Sequence, residues 1–255
     1  MAQRPSRSLK HEYELYVERE TENYKESVPR SVLLTIGDEA VRGLADAQQF
    51  ALTELLLCEE VDKIIFKRLR LPSHATWRKR RIKLLAEMRR PEHWGLSPSD
   101  LMVRAVQAVS SDSRVLVAGA EVETPALYLA ANGCDVTAFA GADAVQRVLD
   151  AAQEAGFAER VHASAVALES FTPDGPLTAV IYTPAAFRGL STAERARVIG
   201  VLQSATTDGG VHLVQTIAAG KRTPASLDEL RRRYRGWDVT VDDRTPDTFF
   251  ARKAV

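Results

Sequence analysis

The sequence predicts an α/β fold for residues 96–255, preceded by an all-helical domain over residues 11–95. From about Asp112 onward, short apolar runs alternate with helix-like stretches of about 10–14 residues, a pattern typical of βαβ units and a mostly parallel sheet. Before that point, apolar residues recur at helical spacing. Residues 1–10 are polar and basic without an apolar stretch, which predicts a flexible tail rather than a secretory signal.

Apolar periodicity, together with residues that start or stop helices, places each element. In the first part, helices are predicted over 8–27 (ended by Val28-Pro29), over 37–48 with Asp38 as cap and a continuation through 50–69, and over 77–89. In the second part, strands are predicted over 115–118, 135–140, 161–165, 179–183 and 210–216, with helices over 125–132, 142–155, 192–205 and 226–234. A final pair of strands is predicted over 237–241 and 248–252.

The composition excludes several classes of protein. No run of about 18 apolar residues occurs, so no membrane span is predicted. The two cysteines, Cys58 and Cys134, are far apart, which argues against a disulfide framework and fits a cytoplasmic location. The five histidines have no metal-ligand spacing, and no nucleophile–base arrangement is recognisable, so neither a metal site nor a catalytic residue is predicted.

Four stretches of the sequence, together with its closing segment, resemble the class I S-adenosylmethionine (SAM)-dependent methyltransferases. They are Arg114–Gly119 with Ala126–Gly133, Cys134–Phe139, Leu177–Thr183 with Ser191–Ala205, Asp208–Val214, and the closing Phe249–Arg252. The resemblance covers roughly 140 residues and implies a Rossmann-type sheet with an antiparallel last strand. It does not extend to residues 1–95.

The resemblance also implies where SAM would lie. If SAM binds, the cofactor contacts are expected at Gly119, Ala120, Glu121, Ala140, Asp143 and Ala165. Yet the first loop keeps a single glycine, since Glu121 and Glu123 stand where the family has glycines. The acids that the family places at the first, second and third strands are replaced by Val117, Ala140, and Ala165 or Ser164, and Thr178 stands where an acid commonly opens the fourth strand. No cofactor is therefore expected.

Three side-chain roles near this loop stay open. Asp143 either replaces the missing ribose-binding acid or caps the next helix, and capping is the preferred interpretation. The carboxylates of Glu121 and Glu123 either bind a cation or basic partner or are simply solvated. Tyr182 and Thr183 either touch a ligand or pack in the core.

Charge is strongly segregated although the net charge is zero. Residues 1–62 carry 7 basic and 13 acidic residues, whereas residues 63–90 carry 11 basic residues and one acid, Glu87. The candidate partner- or nucleic-acid-binding residues are Arg78, Lys79, Arg80, Arg81 and Lys83. Three interpretations remain: these residues pair with the acidic first helix, bind an acidic protein surface, or bind nucleic acid.

Together these features predict a methyltransferase-like protein that is catalytically inactive and acts as an interaction, scaffold or regulatory subunit of a larger assembly. A protein partner or self-association is expected to use residues 11–95, with the apolar stretch 50–69 as a possible dimer seam. One alternative is an active SAM-dependent methyltransferase with a divergent cofactor site. A second is a nucleic-acid-associated factor that uses the basic helix.

Overall fold

A computed structural model describes residues 8–46, 54–97, 101–183, 185–215, 217–218, 221–222, 225–241 and 248–255. The chain divides into two compact units, Met1–Leu84 and Leu85–Val255. Of the predicted tail, residues 1–7 lie outside the described part, and Ser8 is already the N-cap of the first helix, since its Oγ accepts a hydrogen bond from the His11 N–H.

The first unit consists of helices, as its sequence predicts. They are α1 (Leu9–Ser27), α2 (Arg30–Asp46), α3 (Glu54–Leu69) and α4 (His74–Met88). The second helix begins at Arg30, directly after Pro29, and not near Gly37 as predicted. Gly37 lies inside α2, because proline is well suited to a helix start and a single interior glycine costs only about 1 kcal/mol.

The core of this unit is small. Ile36 and Ala40 of α2 pack against Ile64 and Ile65 of α3, and all four are buried. A second contact joins α1 to α4, where the Trp77 ring lies 5.5 Å from Tyr13. Aromatic contacts thus supplement a limited aliphatic core.

The division between the units falls within α4. The sequence placed the boundary between residues 95 and 96, but Leu85, Met88, Trp94 and Leu96 pack on the main core of the second unit. The Trp94 indole N–H also donates to the carbonyl of Met88 at 2.6 Å. This segment therefore packs with the second unit.

The second unit is α/β. After a short 3-10 helix (Pro91–Trp94), its helices are α5 (Leu101–Gln107), α6 (Glu123–Ala131), α7 (Ala142–Ala155), α8 (Thr192–Ala205) and α9 (Leu227–Arg233). Its strands are β1 (Arg114–Ala118), β2 (Asp135–Phe139), β3 (Val161–Ser164), β4 (Leu177–Tyr182), β5 (Thr206–Gln215), β6 (Ile217–Ala218), β7 (Lys221–Arg222), β8 (Trp237–Val241) and β9 (Thr248–Lys253). Here β6 and β7 form a separate antiparallel pair.

Seven strands form the main sheet in the order β3-β2-β1-β4-β5-β9-β8. The strands from β3 to β5 are parallel, whereas β9 runs antiparallel to both β5 and β8. The prediction of a mostly parallel sheet with an antiparallel last strand is therefore confirmed.

Alternation along the central strands fills two cores, one on each face of the sheet. In β1, Val115 and Val117 face the core formed with α5, α6 and α7, whereas Leu116 and Ala118 face the core formed with α8 and α9. Because side chains alternate between faces, strands that are covered on both sides must be apolar throughout. This two-sided burial explains the continuous apolar runs of the sequence.

Candidate functional site

The candidate site is the crevice between β1 and β4, at the carboxyl ends of the parallel strands. The order of strands reverses at this point, since β2 and β3 lie to one side of β1 and β4 and β5 to the other. Open α/β sheets bind ligands at such a reversal. Ala118 is in register with Phe139 and with Tyr182, so the loops after these strands start at one level.

The loop after β1 keeps a strained backbone at a residue that is not glycine. Gly119 has a φ of +126°, and Glu121 has a φ of +52°. The second value lies in the left-handed region, where a Cβ atom costs roughly 1–2 kcal/mol. Glu121 thus adopts a conformation that favours glycine, as expected if a glycine-loop backbone persists without its glycine.

Thr183 closes the inner end of the crevice. Its backbone N–H donates to the Ala118 carbonyl at 2.8 Å, and its hydroxyl lies 3.1 Å from the same oxygen and also contacts the Ala120 carbonyl. A Cβ atom on Gly119 would lie 2.5 Å from the Thr183 hydroxyl oxygen and 2.9 Å from the Ala186 nitrogen. The loops after β1 and β4 are therefore in direct contact, and the side chain of Thr183 is 2% exposed.

The positions where the resemblance implies acidic anchors are apolar or lie outside the crevice. Val117 is fully buried in the core on the α6 side of the sheet. Ala140 packs partly against the same core, and Ala165 is exposed. Thr178 is half-buried within β4. None of these side chains can accept a hydrogen bond as a carboxylate would.

Three carboxylates do lie on these loops, and all are exposed. Glu121 and Glu123 flank Val122 on the first loop, and Asp143 lies in the first turn of α7. The N-cap of α7 is Gly141, without a side-chain hydrogen bond, so the preferred capping role of Asp143 is wrong. Its charge instead interacts favourably with the positive end of the helix dipole.

The crevice residues therefore lack the anchors that the resemblance implies for SAM. The structure places Gly119, Ala120 and Glu121 on one loop, with Ala140, Asp143 and Ala165 after neighbouring strands of the same edge. Sequence reasoning grouped these positions, but it gave Thr183 no closing role. The sequence feature that indicates this role is Thr183 itself, a β-branched residue with a hydroxyl group immediately after a buried strand.

A buried polar network lies on the α8 and α9 side of the sheet. His212 is fully buried, and its ring nitrogens lie 2.8 Å from the Thr206 hydroxyl and 2.7 Å from the Tyr234 hydroxyl. Burial, together with the nearby charge of Lys253, lowers the pKa of His212 to about 3. The imidazole is consequently neutral near pH 7 and has a structural rather than a proton-transfer role.

Two cavities lie elsewhere in the second unit. One, of about 170 Å³, separates the 3-10 helix Leu168–Ser170 from α8, and the other, of about 450 Å³, lies between the N-termini of α8 and α9. Neither is lined by a residue of the crevice loops. Within the described ranges, no helix is long and apolar enough to cross a membrane, and no group of three potential ligands could hold a metal ion.

The basic residues of α4 fall into two groups, one paired with a carboxylate and one exposed to solvent. The Arg81 guanidinium lies 3.2 Å from the Glu12 carboxylate of α1, and the Arg81 side chain is only 13% exposed. The cations Arg78, Lys79, Arg80 and Lys83 are exposed. Pairing with the acidic first helix thus accounts for Arg81 and leaves the others facing solvent.

Comparison with known proteins yields structural matches alone. No family model and no curated protein matches this sequence. A putative rRNA-methylase from Clostridium thermocellum is 14% identical, with 61% of this chain and 95% of that chain covered, at a TM-score of 0.50. TehB from Haemophilus influenzae is 17% identical, with 60% of this chain and 61% of that chain covered, at a TM-score of 0.48.

A third match is SAM-bound CalS10, an amino pentose methyltransferase from Micromonospora echinaspora. It is 15% identical, with 63% of this chain and 93% of that chain covered, at a TM-score of 0.47. The match to TehB spans less than two thirds of the TehB chain. At these identities the likeness concerns the fold, and the chain therefore has a methyltransferase-like Rossmann fold.

Proposed function

We propose that this protein acts by binding other molecules and not by methyl transfer. In this proposal the methyltransferase-like sheet is a rigid scaffold within a larger assembly, in an interaction or regulatory role. The first unit, which corresponds largely to the predicted helical domain of residues 11–95, provides the contacts to partners. The alternative of an active enzyme with a divergent cofactor site depends on Asp143, whose exposed carboxylate follows β2.

The closing contact of Thr183 is the observation that carries this proposal. Its single hydroxyl hydrogen can donate to the carbonyl of Ala118 or of Ala120, so the two loops that would have to flank a ligand are bonded to each other. A ligand entering between them would have to break these hydrogen bonds. An ordinary hydrogen bond of this kind contributes about 0.5–1.5 kcal/mol.

The absence of carboxylates at positions 140 and 165 is a second observation that supports the proposal. A ribose hydroxyl buried beside Ala140 or Ala165 would find no carboxylate at either position. Specific hydrogen bonds determine the orientation of a ligand in its pocket, and their absence lowers affinity for a polar cofactor. The exposed Asp143 lies on the helix surface, where water competes for its oxygens.

Titration calorimetry of the full chain with SAM and with S-adenosylhomocysteine tests the cofactor part of this proposal. We expect no heat of binding and no shift of the melting temperature at about 1 mM ligand. A ligand present at 100 times its dissociation constant would stabilise the fold by about 2.7 kcal/mol, which is easily measured. Micromolar binding of either ligand would contradict the proposal.

The variant Asp143→Ala separates the two interpretations if binding is found. Binding that disappears in Asp143→Ala would support a divergent cofactor site in which this carboxylate holds the ribose. Exchange of the exposed Asp150 for alanine, on the same helix, is the matched control.

The assembly part is tested by sedimentation of the protein in an extract of its own cell. A particle well above the 28.1 kDa of one chain is expected. Sedimentation as a single chain would oppose a role as a subunit.

A further inference from the structure

The outward face of α4 carries several exposed cations. His74, Trp77 and Arg81 recur every three to four residues and face α1, where Trp77 stacks on Tyr16 with ring centroids 6.1 Å apart. The opposite side of α4 is exposed. Its basic residues are Arg78, Lys79, Arg80 and Lys83.

Several other basic residues of the unit are paired with carboxylates. Salt bridges hold Lys25 to Asp62 at 2.8 Å, Lys63 to Glu60 at 3.1 Å, Arg68 to Glu39 at 2.5 Å and Arg81 to Glu12 at 3.2 Å. Within the described part of the chain, Arg78, Lys79 and Lys83 have no carboxylate within 4.0 Å. The acidic helix α1 is nearby in the fold, yet it neutralises only the inward side of α4.

The same face lacks an aromatic anchor. Trp77 is enclosed by Tyr13 and Tyr16, and the large apolar side chains exposed on α4 are the aliphatic Ile82 (45% exposed) and Leu84 (43% exposed). Energetic centres of protein interfaces are rich in Trp, Tyr and Arg that fill pockets, and of these three the outward face offers arginine alone. Binding of unpaired bases likewise depends on exposed aromatic rings. What α4 offers to a partner is mainly positive charge.

We propose that the outward face of α4 binds the phosphate backbone of a nucleic-acid duplex without reading its sequence. Lys79 and Lys83 lie one helical turn apart, with Arg78 beside them, so adjacent phosphates can be contacted from one helix. Lys67 and Arg70, both exposed, extend the basic surface along the chain towards α3. The proposal is independent of whether SAM binds the second unit.

Fluorescence anisotropy of the full chain with two unrelated DNA duplexes of about 20 base pairs tests this proposal. We expect similar micromolar dissociation constants for both sequences and a steep loss of affinity between about 50 and 200 mM salt. The variant Arg78→Glu, Lys79→Glu, Lys83→Glu is expected to bind at least tenfold more weakly. The slope of log affinity against log salt should fall by about 0.9 for each lost phosphate contact.

A matched control reverses three exposed arginines of the second unit, Arg147, Arg188 and Arg231, and changes the net charge equally. The control should keep the wild-type affinity, and the glutamine variant at positions 78, 79 and 83 should show an intermediate loss. Circular dichroism must show unchanged helix content in each variant. The proposal fails if the wild type does not bind at 50 mM salt, if the α4 variant binds normally, or if the control loses as much affinity.

Competition with poly-glutamate distinguishes phosphate from carboxylate recognition. At equal charge concentration, poly-glutamate should displace the duplex much less effectively than unlabelled DNA does. Equal displacement would overturn the proposal in favour of an acidic protein partner.

Discussion

The hydroxyl oxygen of Thr183 lies 3.1 Å from the carbonyl oxygen of Ala118, which also accepts the backbone N–H of Thr183 at 2.8 Å. The residues lie at the ends of β4 and β1, the two strands that flank the candidate crevice. A side-chain bond that adds to a backbone bond at the same acceptor ties the two loops together. This link should make a measurable contribution to stability.

Replacement of Thr183 by valine removes the hydroxyl and keeps the shape of the side chain. We expect a loss of about 0.5–1.5 kcal/mol in the free energy of unfolding, because the hydroxyl no longer donates to the carbonyls of the first loop. Urea unfolding measures this loss. Thr183→Ser keeps the hydroxyl and should lose less, whereas an equal loss in both variants would assign the effect to packing.

Glu121 is the second test of the crevice loop. Its φ of +52° predicts that Glu121→Gly relieves backbone strain. We expect a net gain of about 0.5–1 kcal/mol after the entropy that glycine adds to the unfolded chain. Glu123→Gly is the matched control, because Glu123 begins α6 and glycine there should destabilise the protein. Destabilisation by both changes would contradict the strain assigned to Glu121.

The fold could be predicted from the sequence because local and tertiary signals agree in the second unit. Helices α7 and α8 begin and end where their sequence predicts, since α7 has Gly141 before and Gly156 after it and α8 starts at the capping box of Ser191 and Glu194. The two-sided burial of β1, β4 and β5 gave continuous apolar runs. The predicted start of α2 near Gly37 is wrong, because proline marks a helix start and a single interior glycine is tolerated.

The candidate site was predictable only in part. The loop position of Gly119 and the lack of acids at Val117 and Ala140 can be read from the chain. The closing role of Thr183 depends on the distance between two loops that are far apart in sequence, and local patterns do not encode this distance. The pairing of Arg81 with Glu12 likewise depends on how α1 and α4 pack.

The ion pair of Arg195 and Glu229 joins α8 to α9 in a nearly buried setting. The Arg195 side chain is 9% exposed and the Glu229 side chain 13% exposed, and their atoms lie 3.2 Å apart. Arg195→Met removes the nearer cation of Glu229 and leaves Arg233 at 4.0 Å, so we expect a loss of about 3 kcal/mol, the lower end for a broken buried pair. The double variant Arg195→Met, Glu229→Met should recover part of that loss in urea unfolding. If the double variant loses as much free energy of unfolding as Arg195→Met and Glu229→Met lose when added together, the two residues are not coupled.

His212 makes the stability of the second unit depend on pH. Burial lowers its pKa to about 3 in the folded state, whereas an unfolded histidine titrates near 6.5. Between these values the unfolded chain binds a proton that the folded chain excludes, so the stabilising contribution is present above pH 6.5 and is lost as the pH falls. From pH 7 to pH 5 we expect this residue alone to reduce the free energy of unfolding by about 2 kcal/mol.

Urea unfolding at pH 5 and pH 7 measures this effect, with His212→Asn as the variant that lacks the titrating ring. The difference between the two pH values should shrink by about 2 kcal/mol in that variant. It should remain unchanged in His162→Gln, which replaces an exposed histidine. Nuclear magnetic resonance of the histidine rings gives a direct readout in the wild type. A His212 signal that titrates with a midpoint near pH 6.5 in the folded protein would contradict the neutral buried ring, because its contacts with Thr206 and Tyr234 leave no carboxylate to stabilise a charged imidazolium.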